Sequence, residues 1–102
     1  TSSFALNAKS KFILKEFARF LTENPTVTIV IQGHTDDVGN DQKNLLLSEN
    51  RAKEVKKYLV SLKIDAKRLA AKGYGETKPK VPNKDYNSRA VNRRTDFLIK
   101  KL

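Results

Sequence analysis

A run of polar residues, Gly33-His34-Thr35-Asp36-Asp37-Val38-Gly39-Asn40-Asp41, follows directly on a β-branched apolar segment and precedes a helical pattern. Open α/β sheets often bind ligands at such a place, where a strand ends and a helix is about to begin. Asp36 is the acid near the centre of the run. It can receive a cation, or it can be an acidic loop residue satisfied by neighbouring backbone N–H groups. Arg51 is the second unusual charge. It adjoins Ala52 and stands one turn before Val55, beside the apolar face of its helix and away from the lysine-rich one. An arginine so close to a core needs a partner, because an unpaired charge taken out of water is costly. An Asp36–Arg51 salt bridge with no ligand would meet that need; a binding role for both residues stays equally open.

Other chemistry is less well supplied. His34 with Asp36 or Asp37 invites a catalytic arrangement, but a triad also needs a nucleophile. Ser48 falls in the apolar stripe of a helix, and a histidine in a Gly-His-Thr turn is expected to hydrogen-bond across its own loop. No catalytic residue is therefore expected. Asp36, Asp37, Asn40 and Asp41 lack the alternating spacing and closing glutamate of a calcium loop, so no metal is expected. The chain has no cysteine, which excludes disulfides and thiolate metal sites. Arg89, Arg93 and Arg94 form the densest arginine group. No aromatic-rich strand accompanies them, which argues against single-stranded nucleic acid as a partner.

The elements that must carry these residues are legible from periodicity. Ile13, Leu14, Phe17, Phe20 and Leu21 recur at three- and four-residue spacing over 9–23, an amphipathic helix closed by Asn24-Pro25. Residues 26–32 form a strand with Val27, Ile29 and Ile31 on its apolar face. Residues 33–41 are a loop with its bend at Gly39-Asn40. A second helix follows, with Leu45, Ser48, Ala52, Val55, Leu59 and Leu62 on one face and Glu49, Lys53, Glu54, Lys56 and Lys57 outward. Residues 68–74 are a shorter strand and 75–87 a long loop. Residues 94–100 form the last strand, with Thr95, Phe97 and Ile99 sharing a face, and a further short strand is expected at 3–6. Two helices then cover one face of a mixed sheet.

With 102 residues the chain suits one domain, 1–102. No stretch approaches the roughly 18 consecutive apolar residues of a membrane span. The opening Thr1-Ser2-Ser3-Phe4 shows no basic segment followed by an apolar one. Any targeting signal or membrane attachment is expected in other parts of a parent protein. A net charge of +10 attracts polyanions, whether nucleic acid, anionic lipid or a carboxylate-rich polymer.

Several motifs stand in a recognisable order: Gly33-His34-Thr35-Asp36-Asp37-Val38-Gly39, Asn44, and Leu47-Ser48-Glu49-Asn50-Arg51-Ala52. Arg68-Leu69, Gly73-Tyr74-Gly75-Glu76 with Pro79, and Asn92-Arg93-Arg94 follow. Together with Phe4-Ala5-Leu6-Asn7, this pattern resembles OmpA-like peptidoglycan-binding domains over almost the whole chain. The resemblance implies an α+β fold, a two-layer α/β sandwich of β-α-β-α-β-β order with a mixed sheet and helices on one face. It implies non-catalytic binding of peptidoglycan in the periplasm, without a cofactor, as part of an outer-membrane-associated protein. It further implies that Asp36 and Arg51 hold the free end of diaminopimelate, with Asn44, Arg93, Thr35 and, more loosely, Asn7 lining the same pocket. The chemistry is consistent. That free end carries an ammonium and a carboxylate on one carbon, so a carboxylate and a planar guanidinium complement it.

The chain departs from the pattern at Lys63, where a glycine commonly ends the second helix, and at Ala5 and Thr95. Lys63 leaves that helix without an easy left-handed residue for its closure. The competing reading is a basic polyanion-binding module for nucleic acid or lipopolysaccharide. Such a module would be steeply salt-dependent and indifferent to Asp36.

Overall fold

The computed structural model describes residues 8–35, 40–75, 77 and 94–101. Helix α1 runs over Ala8–Glu23. Leu14, Ala18 and Leu21 sink into the core. The expected stripe is narrower than the sequence suggested: Ile13 is 54% exposed and Phe20 37%. Successive helical residues are turned by about 100°, so Ile13 and Phe20 fall on the flank of the buried arc. Phe17 is half-buried, its ring 4.5 Å from that of Phe97.

The end of α1 is closed by side chains. Asn24 Nδ2 donates to Phe20 O at 2.8 Å. Arg68, distant in sequence, donates Nη2 to Leu21 O at 2.7 Å and to Asn24 O at 2.8 Å, and Nε to Val27 O at 2.9 Å. One guanidinium thus satisfies carbonyls that a helix end leaves without partners, where a cation also suits the helix dipole.

Strand β1 spans Thr28–His34, with Val27, Ile29 and Ile31 buried as the alternation predicts. It reaches His34, beyond the expected Gln32, because it is the central strand and finds partners on both sides. β2 (Leu69–Gly75) pairs with it in parallel and β3 (Thr95–Lys101) antiparallel, giving the order β2-β1-β3. Arg68, expected as the first residue of β2, lies in a 3-10 turn, Ala66–Arg68, whose Asp65 cap accepts from Lys67 N at 2.9 Å. On β3, Phe97 packs against the core, while Leu98 and Ile99 remain 44% and 43% exposed. The mixed sheet with helices packed on one face matches the expected two-layer α+β architecture. The opening strand expected at 3–6 lies outside the described residues.

Helix α2 occupies Asp41–Ser61. Asn40 is its N-cap, the side chain accepting from Gln42 N at 2.8 Å and Lys43 N at 3.1 Å. The expected bend is thus at least partly a helix cap; Gly39 lies outside the described residues. Asn44, Ser48, Ala52, Val55 and Leu59 face inward. Leu45, expected inward, is 41% exposed, and Asn44 takes the buried position. At this turn α2 lies close on Gly75, where a Cβ would come 3.2 Å from Leu45 Cα and N. Gly33 and Gly73 face each other across β1 and β2. A Cβ on Gly33 would run into the Ser48 carbonyl, and one on Gly73 into Glu49 N and Ser48 Oγ. The approach leaves no room for a Cβ at either strand position.

α2 ends on a six-residue closure. Lys63 N donates to Val60 O at 3.0 Å and Ile64 N to Leu59 O at 3.2 Å, while Leu59 and Ile64 are both buried. These two bonds define a Schellman motif, which places Lys63 in the left-handed region at φ 75°. The departure noted in the sequence is thus accommodated by a lysine in a glycine-type conformation.

Candidate functional site

Gly75 is the residue around which the described part of the site is assembled. It has φ 57°, a conformation suited to glycine. Its N–H donates to Ser48 Oγ at 2.8 Å and its carbonyl accepts from Thr35 N at 2.8 Å. A single residue at the end of β2 thereby ties the end of β1 to α2. Ser48 completes the link by donating its hydroxyl to Leu45 O at 2.7 Å. Three glycines and one serine, all within the recognised motifs, therefore set how α2 lies over the carboxyl ends of β1 and β2.

Three of the six expected site residues are described. Thr35 is 3% exposed and immediately follows β1. Asn44 is 7% exposed in the second turn of α2. Arg51 is half-buried and lies seven residues further along α2. Seven residues are close to two helical turns, so Asn44 and Arg51 share one flank, about 10 Å apart along the axis. Gly75 O accepts from Thr35 N, and a Cβ on Gly75 would stand 3.5 Å from the Asn44 carbonyl carbon. Asp36, Arg93 and Asn7 lie outside the described residues.

His34 is not placed for catalysis. It is 2% exposed, its ring stacks on Tyr74 with centroids 5.4 Å apart, and Nε2 lies 3.4 Å from Asp96 Oδ2. These contacts reach to neighbouring strands; residues 36–39 of the loop across which His34 is expected to hydrogen-bond lie outside the described residues. Ser48 is fully buried, with its hydroxyl held between Leu45 and Gly75. Among the described residues no group of three or more His, Cys, Asp or Glu could hold a metal ion. No helix there is long and apolar enough to cross a membrane.

Two features escaped the sequence reading. Ser48 was counted with the apolar stripe, whereas it bonds to a backbone; its place between two Gly-containing motifs was the available signal. Asp96 is the other, and its one signal is that it closes the arginine-rich run Arg93-Arg94-Thr95-Asp96. A groove of about 400 Å³ also lies between α2 and the end of β2, lined by Asp41, Gln42, Leu45, Tyr74, Gly75 and Thr77. It borders a different flank of α2 from Asn44 and Arg51.

A helix pinned by glycines onto strand ends, with Asn44 and Arg51 along one flank, is the described frame of the site. The chain belongs to the OmpA family, which residues 1–93 match. It is 40% identical over 86 residues to outer membrane porin F of Pseudomonas fluorescens, covering 84% of this chain. It spans about a quarter of that porin, 26% of its length. The crystal structure of the peptidoglycan-associated lipoprotein from Burkholderia pseudomallei superposes with a TM-score of 0.91 at 32% identity, covering 96% of this chain and 83% of that one. The C-terminal domain of Helicobacter pylori MotB gives 0.90 at 27% identity, covering 97% and 78%.

Proposed function

We propose that this domain binds peptidoglycan without catalysis, gripping the diaminopimelate of the stem peptide, and so anchors an envelope protein to the wall from the periplasm. The observation that carries the reading is the Ser48–Gly75–Thr35 linkage. It ties the helix bearing Asn44 and Arg51 to the strand end that leads into Asp36. Membership of the OmpA family, and likeness to a protein described as a peptidoglycan-associated lipoprotein, support the same assignment.

In this reading Asp36 accepts from the ammonium of the ligand and Arg51 forks onto its carboxylate. Thr35, Asn44, Arg93 and Asn7 supply further hydrogen bonds. Bonds to charged groups contribute roughly 1.5–3 kcal/mol each. Two of them with several neutral bonds support a Kd of about micromolar order once the entropy of docking is subtracted. Weak single grips suffice, because the wall repeats the ligand many times.

The deciding experiment is calorimetry with a diaminopimelate-containing muropeptide against its lysine-containing counterpart. The lysine form lacks the second carboxylate, the group onto which Arg51 would fork. Its affinity should be lower by at least about tenfold, or 1.4 kcal/mol. Equal binding of the two would refute the zwitterion assignment.

The net charge of +10 and exposed Lys43, Lys53 and Lys57 on α2 favour a second reading, general polyanion binding. That reading requires Asp36→Ala to bind as the parent does.

A further inference from the structure

We propose that Asp96 is a positioning residue for the ligand site, a role that rests on the peptidoglycan reading above. Asp96 lies on β3 opposite Gln32 of β1. One carboxylate oxygen serves two chain segments. Oδ2 accepts from Arg94 Nε at 3.0 Å and lies 3.4 Å from His34 Nε2. The backbone repeats the tie, since His34 N donates to Arg94 O at 2.9 Å. His34 and Arg94 therefore meet where β1 ends and β3 begins.

Each of the two is one step from a proposed ligand-binding group. His34 precedes Thr35 and Asp36; Arg94 follows Arg93. Planar peptides leave only two soft torsions per residue, so a displacement at this junction passes on to both segments. The junction is braced from the third strand as well. The His34 ring stacks on Tyr74 of β2, the Tyr74 hydroxyl lies 3.5 Å from Gln32 Nε2, and Lys72 Nζ stands 5.1 Å from the Tyr74 ring centroid. Among these groups Asp96 is the acid, bonded to Arg94 and 3.4 Å from His34 Nε2. An Nε2–H faces it in either the neutral Nε2 tautomer or the imidazolium. Its side chain is 44% exposed, so its loss removes little buried surface. A supporting group of this kind fixes geometry more than it adds stability.

The test uses Asp96→Ala and Asp96→Asn, with Lys100→Ala on the same strand as a control. Calorimetry with the diaminopimelate muropeptide is read beside thermal unfolding and the ligand-free amide NMR signals of Thr35 and Arg94. Asp96→Ala should weaken fragment binding roughly tenfold. It should shift both amide signals and keep a melting midpoint close to the parent's. Asp96→Asn keeps an oxygen for Arg94 Nε and should recover part of the affinity, while Lys100→Ala should bind as the parent does. A folded Asp96→Ala with parental affinity would overturn the positioning role and leave the peptidoglycan reading standing. Failure of both variants to fold would overturn it too, by making Asp96 a residue of the fold. A parent that binds no fragment removes the peptidoglycan reading, and the positioning role with it.

Discussion

Arginine and lysine carry the same charge, and the difference between them is the sharpest test of Arg51. A guanidinium presents two parallel N–H groups to a carboxylate; an ammonium is a point charge on a flexible stem. Arg51→Lys should therefore lower muropeptide affinity by roughly tenfold while retention on whole sacculi persists. Fragment titration beside a sacculus pull-down checks this, and parental fragment binding by the lysine variant would reduce Arg51 to a mere charge. Asp36→Ala should abolish fragment binding in a protein that still folds, as fluorescence titration and thermal unfolding would show. The half-buried setting of Arg51 was readable beforehand, since it adjoins Ala52 and precedes Val55 by a turn. The inward turn of Asn44 was not. Leu45 looked the better core residue, but α2 lies so close to Gly75 that a Cβ there would meet the Leu45 backbone, and Leu45 is left 41% exposed.

Among the elements, α2 shows most plainly where local preference yields to tertiary structure. Its periodicity announced Ser48, Ala52, Val55 and Leu59 as inward residues, and they are buried. Its end was harder to read, because Lys63 carries no signal for a left-handed turn. Two closing hydrogen bonds and the burial of Leu59 and Ile64 outweigh the cost of that conformation. For a residue with a Cβ the left-handed region costs about 1–2 kcal/mol, and a glycine returns part of the gain as unfolded-chain entropy. Lys63→Gly should accordingly stabilise the domain by about 0.5–1 kcal/mol and raise its melting midpoint by a few degrees. Lys63 is exposed and remote from Asn44 and Arg51 in sequence, so muropeptide affinity should not change. In α1, by contrast, the repeat overstated the buried face, because Ile13 and Phe20 fall on its flank.

For the molecule as a whole, charge and pocket should be separable by salt. Unscreened attraction between a +10 domain and an anionic wall acts over distances that ions shorten to about 8 Å at physiological strength. Contacts within a partly desolvated pocket are screened far less. Raising salt from low to physiological levels should therefore weaken sacculus binding more than binding of a small muropeptide. Pull-down and calorimetry over the same salt series decide the matter. A fragment affinity that falls as steeply as sacculus retention would favour the polyanion reading.

The Arg68 clamp ties together parts of the chain that are 41 to 47 residues apart. Its three hydrogen bonds can form only after α1, the start of β1 and the turn before β2 have converged, so the clamp is expected to close late in folding. Contacts absent from a folding transition state govern how fast the native state is lost, not how fast it is reached. Replacing Arg68 with alanine should thus speed unfolding several-fold while leaving the refolding arm of a denaturant chevron nearly unchanged. Equal slowing of refolding would mean that the clamp is already closed at the barrier. Under the proposed wall-binding role, the lifetime of the folded state is the relevant quantity. By this account one guanidinium far from the ligand helps to set it.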